Sequence, residues 1–432
     1  MHKVIFKSFF TAVLAAGLGF LANVLTARIL GPSGRGEYSS FILAATLIAT
    51  FSQLGLGQAY VFAFRKTGFD RPRVVLSWCL GIILLCAAVC SMLISSVADS
   101  KVADSTRILF VLCMSMTGVA FCTFSSQTQK SLNVFNMVNL LNPALLLLTA
   151  IVARLQHEVT ALHILNLINI GNCISLPLVL WIVYRLNRAD NVDRSGRLPD
   201  HKRLRELVAM GFKFHGTVVL GLAVNYIDKI YLFFSSSSAN FGIYAVAYSL
   251  SRLVGFIQKS ISTVLFSQFA GGGAGLSEKS VLAFRFTFYP LTLVAILIVF
   301  IREPLVKLLF GHAFAAVAAP FAILMFESIF SGASWMLAQQ FNANGKPGLV
   351  LIRQMASFIP IVALLPFLHA DTVAVGLASI LLLSGTIRLV ITISLLVKVD
   401  NIPIVEFLPR ISDATFAFRF FRRLVWKESI RT

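Results

Sequence analysis

The sequence has little charge and few acidic residues. Only 13% of its 432 residues are charged, and 18 aspartates and glutamates stand against 37 lysines and arginines. Typical soluble domains carry about 25% charged residues. A chain with 57% hydrophobic residues and a mean hydropathy of +0.84 cannot cover its surface with polar groups. The composition excludes an ordinary soluble protein and favours a polytopic membrane protein, whose solvent is lipid.

The signatures of common enzymes and metal sites are also missing. There is no H-E-x-x-H, G-x-S-x-G or G-x-x-x-x-G-K-[ST] motif. The six cysteines lie in apolar runs without CxxC spacing, and the seven histidines are scattered. We therefore predict no catalytic residue, no metal and no cofactor. The cysteines are interpreted as small buried hydrophobic residues.

What the chain does contain is a series of long apolar runs. Twelve runs, most of them about 20 residues or longer and so long enough to cross a bilayer, lie at 8–28, 38–64, 74–97, 108–129, 137–153, 160–185, 207–234, 241–268, 282–301, 316–341, 348–368 and 373–399. Strict alternation of apolar and polar residues is absent, which disfavours a β-barrel. The pattern predicts an all-α integral membrane protein of about twelve transmembrane helices.

The runs divide into two sets of six. We predict an N-terminal lobe at 1–190, a basic cytoplasmic linker at 191–206, a C-terminal lobe at 207–399 and a basic amphipathic tail at 400–432. Similar segments, "GEYSSFILAATL" and "GIYAVAYSLSRL", open spans two and eight. This similarity indicates two pseudo-symmetric six-helix lobes, an organisation typical of transporters.

The placement of basic residues predicts the orientation. With the N-terminus inside, 25 of the 37 lysines and arginines, Arg353 among them, lie on inside segments, and seven, Arg35 among them, lie outside. This bias favours both termini in the cytoplasm and explains the net charge of +19 as a topology signal, without nucleic acid as a partner. The tail segment 416–427 has the pattern of an interfacial helix on the anionic inner leaflet. It serves either as a topology anchor or in regulation.

Ionisable side chains at membrane depth are costly and mark candidate functional positions. Spans seven to twelve contain Asp228, Lys229, Arg252, Lys259, Glu327 and Arg388, and Lys213 lies near the start of span seven. Neighbouring residues on a helix point about 100° apart, so we do not expect Asp228 and Lys229 to pair. Asp228 either pairs with Arg252 to hold two helices together or takes part in substrate or ion binding.

This set counts five basic against two acidic residues, which favours an anionic passenger such as a diphosphate or an acidic sugar. Asparagines recur every three residues in spans five and six, among them Asn139 and Asn169. Their amides suit either sugar hydroxyls or hydrogen bonds between helices, and the second use is the commoner one.

One polar break resembles a known family. The segment "ARILGPSGRGEY" (27–38) is similar to the one after span one in polysaccharide flippases of the MOP superfamily, the O-antigen-type (Wzx-like) exporters. Asp228 with Lys229, then Gly242 and Tyr244, and "NANGKP" (342–347) also resemble the family pattern. We expect Gly31-Pro32 to end the first helix, and Gly34 and Gly36 to allow a tight reversal into the second.

The resemblance implies a transporter of the bacterial inner membrane that works by alternating access. Its cargo would be undecaprenyl-diphosphate-linked oligosaccharide repeat units for O-antigen, capsule or exopolysaccharide synthesis. Polysaccharide polymerase and chain-length proteins are possible partners beside the lipid bilayer, and some relatives couple to an ion gradient. The candidate residues for substrate are Arg28, Lys229, Arg252, Lys259, Arg388, Asn139 and Asn169, and those for coupled H⁺ or Na⁺ are Asp228 and Glu327.

Three alternatives stay open. A MATE-type drug or metabolite exporter would need an acidic cation site, and the first six spans have no deep acidic residue. A lipid II flippase of the same superfamily is expected to have fourteen spans. A membrane polysaccharide polymerase would carry its reacting groups on a large outer loop, and the outer loops here are short.

Overall fold

The computed structural model describes residues 2–66, 72–97, 103–128, 133–156, 159–186, 201–269, 276–344, 346–369 and 372–410. Regular structure within these ranges is helical, with no strand, and this confirms the predicted all-α class. The α-helices are α1 (His2–Ser52), α2 (Leu56–Lys66), α3 (Pro72–Val97), α4 (Ala103–Ser125), α5 (Asn133–Arg154), α6 (Ala161–Leu186), α7 (His201–Ser235), α8 (Ser238–Phe269), α9 (Leu276–Phe300), α10 (Arg302–Phe310), α11 (Ala318–Ala343), α12 (Pro347–Leu364) and α13 (Val373–Val399).

Most of these helices have the length and composition of membrane spans. Nine segments in the described ranges are long and apolar enough to cross a bilayer, and α7, which is bent by 51°, raises the number to ten. One of the nine, Phe10–Ser52, has 43 residues. A straight helix of that length would measure about 65 Å, twice the thickness of the hydrocarbon core. The chain is thus a multi-pass membrane protein, and the number twelve stays a prediction.

A kink at Gly31 divides α1. Gly31 has φ 65° and ψ −179°, values that interrupt a helix and that glycine adopts without steric cost. The Arg35 guanidinium donates to Asn23 Oδ1 at 2.5 Å and to Thr26 Oγ1 at 2.8 Å. In a straight helix Asn23 and Arg35 would be about 18 Å apart along the axis. The chain therefore folds back at Gly31, and the predicted break between spans one and two is confirmed.

The role expected for Gly34 and Gly36 is wrong, because both lie in regular helix after the kink. Gly36 serves a close contact between α1 and α8. A Cβ atom at Gly36 would strike the Ser238 carbonyl, and one at Gly242 would strike the backbone of Pro32. The glycines of "GEY" and "GIY", which open similar segments of the two halves, thus lie at one helix crossing.

Span two is broken where the sequence predicted a continuous run over 38–64. α1 ends at Ser52, and Leu54 and Gly55 have φ values of 46° and 66° before α2 begins. α7 begins at His201, so the last six residues of the predicted linker, 201–206, are helical. Leu204 and Leu207 of this segment pack in the same hydrophobic cluster as Leu56 of α2, which explains why the helix extends so far.

The contacts divide the chain into two compact units, Met1–Ala245 and Val246–Thr432. We call them the N-terminal and the C-terminal unit. The division lies inside α8, later than the predicted linker 191–206, because α7 packs with α1 and α2 of the N-terminal unit. Residues 187–200 of the predicted linker region lie outside the described part of the chain.

Each unit is built around one central helix. In the candidate spans Ser105–Thr128 and His312–Phe341, 61% of the most apolar window is buried, against 17–39% in the other seven. The outward faces of the remaining helices carry large exposed apolar side chains such as Leu85, Ile174 and Ile359. Cores that are buried around one helix and surrounded by apolar surface are expected for a protein dissolved in lipid.

The beginning of the predicted tail belongs to the C-terminal unit. Ile402 and Phe407 are buried in its hydrophobic core, and Arg285 of α9 donates to the Glu406 carbonyl at 2.8 Å. Tyr289 donates to the Phe407 carbonyl at 2.7 Å. Residues 400–410 are therefore docked on α9. The predicted interfacial helix at 416–427 lies outside the described residues.

Candidate functional site

Two charged side chains meet in the core of the C-terminal unit. Arg252 of α8 donates from Nη2 to Glu327 Oε2 of α11 at 2.8 Å. The guanidinium lies 4.3 Å from the centre of the Tyr248 ring, and Ser331 donates to the other oxygen of Glu327 at 2.5 Å. The Glu327 side chain is 4% exposed, whereas that of Arg252 is 37% exposed. The carboxylate is thus enclosed while the arginine stays accessible.

Close helix packing brings these side chains together. Gly255, one turn after Arg252, faces Ser328 of α11 so closely that a Cβ atom would strike its hydroxyl. On α13, a Cβ atom at Gly385 would touch the Glu327 side chain. Small residues at such contacts let helix backbones approach each other in a membrane. The three helices α8, α11 and α13 therefore converge at Glu327.

Arg388 adds a second positive charge at this point. It lies on α13 one turn after Gly385, within electrostatic range of Glu327 and Arg252. Its guanidinium makes no ion pair or hydrogen bond with any residue that the structure describes, and its Nε atom is buried. We call Arg252, Glu327 and Arg388 the arginine cluster. Its net charge is one positive, because arginine stays protonated in proteins.

A further arginine supports the cluster. Arg353 of α12 is fully buried, donates to Ser334 Oγ at 2.7 Å and lies 5.8 Å from the centre of the Trp335 ring. The Ser334 hydroxyl in turn contacts the Arg388 carbonyl at 3.2 Å. Arg353 was counted among the inside topology residues, but its side chain is buried in the core of the C-terminal unit. The sequence signal was its location six residues into the span.

The second charged site lies in the N-terminal unit. The Tyr244 hydroxyl donates to Asp228 Oδ2 at 2.6 Å, and Lys229 Nζ lies 3.1 Å from the same oxygen. We call these three residues the aspartate site. The expectation that Asp228 and Lys229 do not pair is wrong, because the four-carbon side chain of lysine bends back across the 100° between their Cβ atoms. The predicted pair of Asp228 and Arg252 is wrong too, since Arg252 bonds to Glu327.

The other predicted site residues are dispersed. Arg28 is exposed, three residues before the kink in α1. Asn169 donates from Nδ2 to the Ile108 carbonyl at 2.9 Å, which is a bond between helices, while its buried Oδ1 has no partner among the described residues. Asn139 is half-buried on α5. Lys259 belongs to α8, but its side chain lies outside the described part.

The arginine cluster has the chemistry of an anion site. The Arg252 side chain is partly exposed, and its positive charge attracts an anion. The second arginine reinforces this attraction in a medium of low polarity. The aspartate site offers less, because its carboxylate is 1% exposed and its charge is neutralised by Lys229. No group of residues suited to a metal ion occurs in the described ranges.

Known proteins match this chain in family and in fold. The family model described as "Polysaccharide biosynthesis protein" matches residues 3–270. A search of curated proteins finds no match. Among solved structures, the inward closed lipid II flippase MurJ is 13% identical with a TM-score of 0.73, and the alignment covers 93% of this chain and 89% of that one.

Transporters of the MATE type have similar folds. The MATE multidrug transporter DinF-BH is 14% identical with a TM-score of 0.56, covering 95% of this chain and 96% of that one. A MOP superfamily transporter from Pyrococcus furiosus is 12% identical with a TM-score of 0.56, covering 91% and 93%. At these identities the likeness concerns the fold alone. The chain belongs to the polysaccharide biosynthesis protein family and has the fold of the MOP superfamily transporters.

Proposed function

We propose that the protein flips undecaprenyl-diphosphate-linked oligosaccharide repeat units across the bacterial inner membrane by alternating access, with both termini in the cytoplasm. The glycan would serve O-antigen, capsule or exopolysaccharide synthesis. The family match and the transporter fold support the class of activity. The observation that carries the substrate class is the arginine cluster, a net positive site at membrane depth.

The physical need for such a site is plain. A diphosphate bearing several sugars loses its hydrogen bonds with water when it enters hydrocarbon, and an unpaired charge there is more costly still. In the resting protein, Glu327 compensates the charge of Arg252. An arriving diphosphate competes with Glu327 for Arg252 and also meets Arg388. The headgroup is then held by protein cations while its lipid tail stays in the bilayer.

This exchange of partners suggests how ions enter the cycle. When the diphosphate takes Arg252, Glu327 keeps the Ser331 hydroxyl and the neighbouring Arg388 but loses its ion pair. A buried carboxylate without its partner gains from binding a proton or a cation. Glu327 is therefore our first candidate for coupling to H⁺ or Na⁺, and the enclosed Asp228 is the second.

The arginine cluster also favours a carrier of diphosphates over an exporter of cations. A MATE-type antiporter for organic cations would require an accessible acidic group. The carboxylate of the arginine cluster is enclosed and bonded to Arg252, and the partly exposed side chain is that of Arg252. The surplus charge is of the sign that attracts a diphosphate.

Gene deletion and complementation test the proposal. The deletion strain should accumulate lipid-linked repeat units on the cytoplasmic side, and the wild-type gene should restore surface glycan. Arg252→Gln and Arg388→Gln should each reduce export about tenfold or more, since a hydrogen bond to a charged group is worth about 1.5–3 kcal/mol. Export is measured as labelled glycan at the cell surface, with protein levels checked in isolated membranes.

The matched control is Arg154→Gln. Arg154 is an exposed arginine in the last turn of α5, so the substitution removes the same charge from the N-terminal unit and leaves the three residues of the cluster unchanged. It should leave export unchanged. Normal surface glycan in the deletion strain, or full export by both cluster variants, would contradict the proposal.

A further inference from the structure

The N-terminal unit contains a cavity that the charged sites do not use. Its volume is about 260 Å³, and it is bounded by the second half of α1, the beginning of α2, and parts of α4 and α7. The apolar part of the lining includes Met116, Ala120, Phe124 and Val218. The polar part consists of Thr46, Thr50, Gln53 and Gln58, and it carries no charge.

Most polar groups of this cavity present hydrogen-bond acceptors. The Thr46 and Thr50 hydroxyls donate to carbonyls one turn earlier in α1, at 2.6 and 2.7 Å, so only their lone pairs stay available. Gln53 donates its amide NH₂ to the Thr117 carbonyl at 2.9 Å. Its Oε1 atom and that of Gln58 are buried and accept no hydrogen bond within the described ranges.

The break between α1 and α2 makes this arrangement possible. In a continuous helix, side chains five residues apart point about 140° away from each other. The left-handed conformations of Leu54 and Gly55 interrupt the helix between Gln53 and Gln58, so that both glutamines line the same cavity. Buried acceptors without donors are costly, and Gln53 is only 7% exposed. The cavity therefore favours a ligand that supplies hydrogen-bond donors.

A sugar ring meets these requirements. Its hydroxyls donate to amide and hydroxyl oxygens, and its C–H face packs on apolar side chains such as Met116 and Phe124. The volume lies just below the range of about 300–1,000 Å³ that is typical of drug-sized ligands, so it suits one monosaccharide rather than a whole repeat unit. An anion finds no positive charge here, and a bare cation finds no carboxylate.

We propose that this cavity is a subsite for one sugar unit of the transported lipid-linked glycan. The inference rests on the proposed function and extends it: the arginine cluster recognises the diphosphate, whereas the cavity recognises the glycan. The N-terminal unit would then determine which glycans are accepted, while the diphosphate would be bound in the same way whatever sugar it carries.

Binding measurements on the purified full chain in lipid nanodiscs test the subsite. The two probes are undecaprenyl diphosphate without sugar and the lipid-linked glycan extracted from the deletion strain. The wild type should bind the glycosylated lipid at least tenfold more tightly. Ala120→Leu, which fills the cavity, and Gln58→Leu, which removes an acceptor, should reduce this preference to about twofold or less without changing the affinity for the bare lipid.

Thr123→Val is the matched control. The Thr123 hydroxyl also donates to a carbonyl one turn earlier, on α4, but the residue does not line the cavity. This variant should keep the full preference. Thermal unfolding of each variant verifies that it is folded.

The possible failures can be told apart. A folded Ala120→Leu variant that keeps the tenfold preference overturns the subsite, as does equal binding of both lipids by the wild type. In either case the loss of export in Arg252→Gln still upholds the flippase. If the wild type binds neither lipid, the proposed function fails as well. A third outcome is that sodium stabilises the wild type but not Ala120→Leu, and that no glycan preference is measured. The ligand of the cavity would then be a hydrated cation and not a sugar.

Discussion

Two charged sites of similar composition differ in what they leave exposed. Each combines an acid, a base and a tyrosine of α8, and the two tyrosines, Tyr244 and Tyr248, lie one turn apart. In the aspartate site Asp228 is 1% and Lys229 13% exposed, and their charges cancel. In the arginine cluster the Arg252 side chain is 37% exposed, and Arg388 leaves a positive charge uncompensated.

The difference shows how one kind of interaction serves two purposes. A closed, neutral pair costs most when one member is removed, because the other charge stays buried. An open site tolerates such a loss better, because water or a ligand replaces the missing partner. We therefore assign the aspartate site mainly to the stability of the N-terminal unit, and the arginine cluster mainly to substrate binding.

The largest expected effect concerns the two carboxylates. Asp228→Ala should destabilise the protein by about 3–5 kcal/mol, the usual loss when one partner of a buried ion pair is removed. Glu327→Ala should cost less, because the half-exposed Arg252 regains hydration. Thermal unfolding in detergent measures both variants. Equal destabilisation by the two variants would contradict the assignment of the aspartate site to stability.

The isosteric variant Asp228→Asn sharpens this test. It keeps an acceptor for the Tyr244 hydroxyl and should therefore restore most of the stability. Export by a stable Asp228→Asn protein then distinguishes the two roles. Normal export supports the structural role, whereas loss of export would assign Asp228 to ion coupling.

The tyrosines should respond differently. Tyr244→Phe removes the hydroxyl that donates to Asp228 and should cost about 1.5–3 kcal/mol, the worth of a hydrogen bond to a charged group. Tyr248→Phe keeps the ring that lies beside Arg252, whereas Tyr248→Leu removes it, so the second variant should cost about 0.5–1 kcal/mol more than the first. Melting temperatures of the three variants, measured side by side, check these values. Equal stability of Tyr248→Phe and Tyr248→Leu would contradict the role of the ring.

The smallest expected change in stability is that of a double variant. Arg252→Gln with Glu327→Gln removes both charges of the pair and leaves the net charge of the cluster unchanged. Replacing both partners of a buried pair is often nearly neutral, so the melting temperature should stay close to that of the wild type. Export should still fall about tenfold, as for Arg252→Gln alone. Full export by the double variant would show that Arg388 suffices for the substrate.

Several features of the fold were predictable from local sequence. Apolar runs longer than a bilayer crossing require helices, and Gly31-Pro32 requires a break in them. The depth of Arg252, Glu327 and Arg388 followed from their positions within the runs, and the structure brings these three together. Other features depend on neighbours distant in sequence. The local sequence of Gly36 is typical of a turn residue, but α8 packs against it.

The partners of charged groups also depend on neighbours that are distant in sequence. Arg35 and Arg353 were counted as topology signals, but the structure buries both, against Asn23 and Thr26 and against Ser334, respectively. These partners lie more than one helical turn away in sequence, so the local sequence does not identify them. Likewise, the break at Gly55 follows from packing that brings α7 against its backbone, where a Cβ atom would strike the Gly211 carbonyl.

The sequence by itself determined that this is a helical integral membrane protein with more basic than acidic residues in its apolar runs. These properties follow from composition and from the period of apolar residues, which act locally along the chain. Only the tertiary structure decided which charge meets which: Glu327 with Arg252, Asp228 with Tyr244 and Lys229. Such pairings depend on which helices touch and at what height, and close contacts such as those at Gly36 and Gly255 set both.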